Sequence, residues 1–383
     1  MDFNFTKEQQ LLGDTVQRFV SKEYGFETRR AILRSPEGWS RGVWAKLAEL
    51  GLLSLQIPEE FGGMGAASVE TMLTMNAFGR GLLVEPFLSS AIMASALIRE
   101  LGSPAQKEAL LPALAGGERI AVPAHGEHRA RHDLATVATA AVRDGDGFVL
   151  DGRKAVVLHA TAADLLLVSA RTSGGTDDTS GISLFLVERG APGVILETYP
   201  TLDGQRAADV TLRGVRVPRS SLLGPEGGAF GALAAVWDIG VAALCAEAVG
   251  ALQAILAATV EYAKQRKQFG VPIAKFQALQ HRMAEMLMQV EQAKSMSYLA
   301  AIRCTEADPA TRQRAISAAK VVVGQACRRV GQEAVQIHGG MGVTDELDVS
   351  HYFKRLACIE LSLGDTEHHL EKFARTLAAG AQA

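Results

Sequence analysis

Residues 144–160 read DGDGFVLDGRKAVVLHA, and this stretch decides the fold because it breaks a helical pattern that holds on either side of it. Its Val, Leu and Phe come in short runs closed by Asp-Gly pairs, which supply the positive φ that tight turns need. DGDG and the following LDG both predict hairpin turns. The pattern recurs in DLLLVSAR, ISLFLVE, GVILETY and ADVTLRGVRVP, with the polar SGGTDDTSG as a loop between strands. Residues 120–225 are therefore expected to form a small β-barrel or sandwich. Before them, in 1–119, apolar residues recur at helical spacing, as in EQQLLGDTVQRFV and GVWAKLAELGLL. Within that region QIPEEFGGMG (56–65) must be a structured loop, since Pro58 and three glycines interrupt any helix. After the strands, in 226–383, Ala- and Leu-rich runs such as AALCAEAVGALQAILAATVEYAKQRKQ predict the long helices of a four-helix bundle. The fold class is α+β, in the order helical domain, β domain, helix bundle.

With 383 residues, of which 48% are hydrophobic and 21% charged, the chain can bury two or three packed units. A formal net charge of −3 offers no basic field for nucleic acid or an anionic membrane, so a small molecule or a protein is the expected partner. No apolar run reads as a membrane span, and the start MDFNFTKEQQ is too polar for a signal peptide. Cys245, Cys304, Cys327 and Cys358 stand singly in helical segments, as small core residues of a reducing compartment do. A cytoplasmic protein is expected. His132, His338 and His368-His369 lack metal-ligand spacing, so no metal is expected either, and His351 and His281, in helical segments near charged residues, read as solvated or hydrogen-bonded.

The order of domains and four local motifs resemble the acyl-CoA dehydrogenases. The motifs are GLLSLQIPEEFGGMG (51–65), DGQRAADVTLRGVRVP (203–218), YAKQRKQFGVPIAKFQALQHRMAEM (262–286) and QIHGGMG (336–342). More narrowly, the chain looks like the small subunits of two-component enzymes of the pimeloyl-CoA dehydrogenase type. The resemblance implies a flavoenzyme with FAD that desaturates an acyl-CoA between Cα and Cβ. It also implies a homologous partner subunit, in a hetero- or homo-oligomer, and an electron-transfer flavoprotein or similar acceptor. Arg266 matches the family arginine that reaches a neighbouring chain's flavin pyrophosphate, with Gln268 and Phe269 beside it at the adenosine end. Gln336, Gly339, Gly340 and Gly342 match the adenosine-side motif, where absent side chains let backbone approach a ligand. His338 is incidental in that reading. For Arg266 the competing account is a solvated helix-end cation beside Lys264 and Lys267.

Other parts of the pattern are missing. Ala124 and Leu158 fall where the resemblance places flavin-bonding threonines, and Val156 falls where a tryptophan covers the ring; His125 and His159 are the substitutes at hand. The two family positions for the catalytic carboxylate fall on Leu363 and Gly240. Asp238, Glu247 and Glu360 are the acids weighed as substitutes, each competing with the reading of an ordinary surface or capping carboxylate. Asp238 is turned by about 200° from Gly240 on a helix, and Glu247 shares its face about 10 Å along the axis. Three functions follow: a heteromer subunit whose partner supplies the base, a self-sufficient homo-oligomer with Asp238 or Glu360 as relocated base, or a non-catalytic acyl-CoA or partner scaffold.

Overall fold

The computed structural model describes residues 5–65 and 68–380. Outside the described residues lie the first four of the polar start and the outer limits, 1 and 383, of the first and last expected domains. Helices come first: α1 (Lys7–Glu23), α2 (Phe26–Arg34), α3 (Arg41–Glu49), α4 (Ser68–Gly81), a π-helix (Phe87–Ala94), α5 (Ser95–Leu101) and α6 (Pro104–Ala115). Strands follow: β1 (Ala121–Ala124), β2 (Ala140–Asp144), β3 (Gly147–Leu158), β4 (Leu165–Arg171), β5 (Ile182–Glu188), β6 (Val194–Pro200), β7 (Arg206–Pro218) and β8 (Leu222–Leu223). The last part holds α7 (Phe230–Gln265), a hairpin of β9 (Lys267–Gln268) and β10 (Val271–Pro272), then α8 (Gln277–Arg303), α9 (Pro309–His338), α10 (Asp348–Leu361) and α11 (Thr366–Gly380). Helix starts follow their caps. Thr6 and Gln9 form a reciprocal capping box on α1, Ser103 and Gln106 on α6, and Asp308 accepts from the Thr311 N–H ahead of Pro309 on α9.

Contacts divide the chain into two compact units that do not follow chain order. One comprises Met1–Arg30, Ser68–Leu83 and Val241–Ala383; the other comprises Ala31–Ala67 and Val84–Gly240. The first is helical. Its centre is α9, whose buried Ala319, Val323, Ala326, Val330 and Ala334 recur at helical spacing and pack against α8, α10 and α11. Where α4 crosses α7, glycine is required on both: a Cβ at Gly79 would stand 1.9 Å from the Glu247 carbonyl oxygen, and one at Gly250 1.9 Å from that of Asn76. Helix α7 is long and apolar enough to cross a membrane, contrary to the sequence reading, but 89% of its most apolar window is buried in the protein. Its apolar surface is spent on the core.

The second unit carries the sheet, in the order β6-β7-β3-β2-β4-β5-β8, with β1 beside β4. The two halves are joined between β2 and β4 by the single pair Ala140–Arg171. Phe148 of β3 meets Phe185 of β5 edge to face at 5.0 Å, and both are buried, so the halves share one core. DGDG forms the expected β2–β3 turn, with Asp144 opposite Gly147 and Gly145 at φ 59°. LDG does not turn the chain. Gly152 lies inside β3 at a register shift, pressed so closely on Thr139 that a Cβ would fall 2.6 Å from its Cα. An Asp-Gly pair serves a bulge as well as it serves a turn, and here the long partner strand β7 decides between them.

Candidate functional site

In the helical unit, α7 ends into the β9–β10 hairpin, whose two-residue tip is Phe269-Gly270. Both tip residues have positive φ, 54° and 78°, as a type I′ turn requires. Phenylalanine is a poor choice there on local grounds, and its ring is 91% exposed, with Phe276 edge to face at 6.1 Å. Arg266 is also exposed. Its backbone is held by bonds to Tyr262 O and from Ile273 N, each 2.8 Å, while its guanidinium has no ion pair among the described residues. Gln268 is exposed beside it. The hairpin thus presents a free cation and an aromatic ring on a fixed backbone.

QIHGGMG closes α9. Gln336, Gly339 and Gly340 are exposed, Gly339 has φ 62°, and a Cβ at Gly339 or Gly340 would meet nothing within 4 Å. Gly342 differs: it is buried, and a Cβ there would stand 2.8 Å from Val335 O, so its missing side chain serves packing of the turn. His338 is not incidental to the fold. Its ring stacks on Tyr262 at 4.2 Å, its Nδ1 bonds Ala334 O at 2.8 Å, and the Tyr262 hydroxyl donates to His338 O at 3.3 Å. Tyr262 lies one helical turn before Arg266, so this stack fixes the two motifs to each other.

Leu363 occupies the turn between α10 and α11, at φ 54°, with Gly364 at φ 106°. Buried Lys320 donates from Nζ to the carbonyls of Ile359 (3.0 Å), Glu360 (2.8 Å) and Gly364 (2.6 Å), and His369 Nε2 meets Leu363 O at 3.0 Å. Burial, then the Lys320 charge, pushes the His369 imidazole down to about 3. Glu360 is buried, not a surface acid. It accepts from Arg328 (3.1 Å) and from the Thr366 N–H (3.2 Å) and hydroxyl (2.8 Å), and so caps α11. Glu247 is likewise buried, gripped by Arg355 through Nε at 2.6 Å and Nη2 at 2.8 Å. In the other unit, Gly240 and Asp238 are both buried on α7. All three acids are inside, which corrects the surface alternative; Glu360 is a capping carboxylate, as the other alternative had it, and Glu247 is committed to Arg355.

The strand pair expected to face a flavin ring lies in the sheet unit. Ala124 is fully buried in β1, paired with Val168, so its side chain points into the core. Val156 stands at φ 52° and is more than half exposed, its N–H donating to Asp209 at 3.1 Å. Both substitute histidines are buried and hydrogen-bonded within the fold. His159 bonds Val84 O at 3.0 Å and Ser89 Oγ at 3.2 Å through its two ring nitrogens; His125 bonds Ser169 Oγ at 2.9 Å and packs edge to face on Trp237. Burial, then the neighbouring Lys154 charge, holds His125 down to about 3. Lys154 is fully buried and donates to Glu127 (2.7 Å), Ser169 (3.1 Å) and His125 O (3.2 Å); burial brings it down to about 8. Sequence reasoning missed the π-helix that positions these groups. Its wider turn delivers Ser89 to His159 and Ser90 Oγ to the Ala121 N–H at 3.3 Å. The run of small residues in LSSAIMAS was the only signal for it.

Family models described as the N-terminal, middle and C-terminal domains of acyl-CoA dehydrogenase match residues 6–118, 124–215 and 234–378. The probable acyl-CoA dehydrogenase YngJ of Bacillus subtilis is 31% identical over 382 residues, covering 98% of this chain and 100% of that one. This chain belongs to the acyl-CoA dehydrogenase family. Among solved structures, the Tcur3481-Tcur3483 steroid ACAD superposes with a TM-score of 0.88 at 30% identity, covering 98% of this chain and 99% of that one. The ChsE4-ChsE5 complex of Mycobacterium tuberculosis superposes with a TM-score of 0.87 at 28% identity, covering 99% of each. The acyl-CoA dehydrogenases are FAD-dependent oxidoreductases. The exposed hairpin cation and the open glycine platform fit the phosphate and adenosine parts of such a dinucleotide, since a guanidinium fork suits phosphate oxygens and bare backbone admits close approach.

Proposed function

We propose that this chain is one subunit of a heteromeric acyl-CoA dehydrogenase in which a homologous partner supplies the catalytic base and most of the flavin-ring pocket. In the reaction the α-proton of the thioester passes to a carboxylate while the β-hydrogen leaves as hydride to the flavin. The observation that carries the reading is the turn at Leu363. It is held rigid by Lys320 and His369 around an aliphatic side chain; of the acids flanking it, Glu360 accepts from Arg328 and Thr366, and Asp365 accepts from the His368 N–H at 2.8 Å. A general base needs a carboxylate directed at the substrate's proton; here the base position is aliphatic, and the acids on either side of it accept hydrogen bonds that cap α11 and close the turn.

The chain's own part is then to bind and orient. Arg266 would reach the pyrophosphate of the partner's FAD, with Phe269 against the adenosine and Gln336, Gly339 and Gly340 lining its path. Both solved relatives above carry two chain names, which supports a two-chain enzyme. The substrate is an acyl-CoA, in our reading a steroid side-chain or dicarboxylyl thioester as in two-component enzymes, and the electrons pass to an electron-transfer flavoprotein or similar acceptor in the cytoplasm. The test is Arg266→Gln in the co-expressed complex. We expect flavin content to fall at least tenfold with the subunits still associated; full flavin retention would overturn the cross-subunit role.

A further inference from the structure

A second ligand site lies in the sheet unit, outside everything assigned above. A cavity of about 380 Å³ opens between the segment that precedes α3 and the β6–β7 hairpin. Its volume is in the lower range of small-molecule pockets. Trp39, Tyr199 and Pro200 supply ring-shaped apolar walls; the Tyr199 hydroxyl is turned away, donating to Asp209 at 2.7 Å. The Arg206 guanidinium reaches the cavity because Gly38 leaves room for it: a Cβ at Gly38 would stand 2.6 Å from Arg206 Nε. Arg206 closes the Gly204-Gln205-Arg206 run of the 203–218 motif, for which the proposed reaction has no use. Only its Nη2 is bonded, at the long distances of 3.4 and 3.5 Å to the Leu33 and Ser35 carbonyls, and no carboxylate pairs with it among the described residues. The other charges in the cavity cancel, since Arg41 pairs with Glu37 at 3.2 Å and lies over Trp39.

We propose that this cavity binds a small aryl carboxylate, its ring against Trp39, Tyr199 and Pro200 and its carboxylate on the free edge of Arg206. An unsatisfied guanidinium fork selects a planar bidentate anion, and the rings select a flat apolar body. The probe is phenylacetate, titrated calorimetrically into the full-length chain. Saturable binding is expected, at least tenfold weaker for 2-phenylethanol and for Arg206→Met. Arg206→Lys keeps the charge and the stem but not the fork, and should still weaken phenylacetate at least threefold with an unchanged melting temperature, which covers the case in which the Met variant misfolds. Arg41→Met should change binding less than threefold. Absence of saturable binding to the unmodified chain, or equal binding by the unmodified chain and Arg206→Lys, overturns the proposal.

Discussion

Replacing Phe269 by Asn separates stability from cofactor binding. At φ 54° a phenylalanine is strained, by about 1–2 kcal/mol relative to a residue that tolerates the left-handed region. Asparagine is favoured at this position of a type I′ turn and does not add the unfolded-state freedom that glycine would. Against that relief stands loss of the edge-to-face contact with Phe276, worth about 0.5–1.5 kcal/mol. With the ring 91% exposed, little buried area is lost. The net change in stability of the flavin-free chain is therefore between about −0.5 and +1.5 kcal/mol, on balance in favour of Phe269→Asn. Flavin binding should move the other way. An aromatic ring stacked on a base contributes about 1–3 kcal/mol, so the complex should bind FAD roughly 5- to 150-fold more weakly. Urea unfolding of the flavin-free chain and a flavin fluorescence titration of the complex measure the two. A variant destabilised by more than about 1 kcal/mol with unchanged FAD affinity would refute the reasoning.

Acid should unfold the protein early. His125 and His369 both titrate near 3 in the fold against about 6.5 unfolded, so the unfolded chain takes up protons first. The stability they hold is complete above pH 6.5 and is lost as pH falls toward 3, roughly 2 kcal/mol for each by pH 5; His369→Gln should flatten the melting-temperature profile over that range. For the buried Glu247–Arg355 pair, Arg355→Met alone should cost about 3–5 kcal/mol by stranding the carboxylate, while adding Glu247→Leu should recover most of it in a thermal melt. Amide substitution of Asp238 or Glu360 should leave turnover of the complex within about threefold, because neither is the base; a loss of about a hundredfold or more without loss of flavin would favour a relocated base in this chain.

The α+β class and the order of elements were legible because period and punctuation are local properties: the helical period in 242–265 and the Asp-Gly turn between β2 and β3 need no tertiary information. What the chain order hid was the partition of the fold. Helices α1 and α4 cluster with the C-terminal helices through contacts such as Gly79 on the Glu247 carbonyl, and nothing near Gly79 announces a neighbour so distant in sequence. The LDG bulge was misread because a positive-φ glycine does not say whether a partner strand continues past it. At the candidate site, the open backbone at Gly339 and Gly340 needs only the local chain, whereas the Phe269-Gly270 turn went unread and its first strand, Lys267–Gln268, falls in a run expected to be helix. Buried polar groups read poorly. The burial of Asp238, Glu247 and Glu360 was not legible; the cap that Glu360 makes with Thr366 is local, but for Glu247 and Glu360 the partners Arg355 and Arg328 are remote in sequence. His125 and His159 looked free for the same reason.

The most direct test is turnover of the purified chain alone, compared with the chain co-expressed with a base-bearing homologous subunit, with acyl-CoA substrate, added FAD and an artificial electron acceptor. The account predicts little bound flavin and no turnover for the chain alone, and both restored in the complex. A fully flavinated, active preparation of this chain by itself would contradict it.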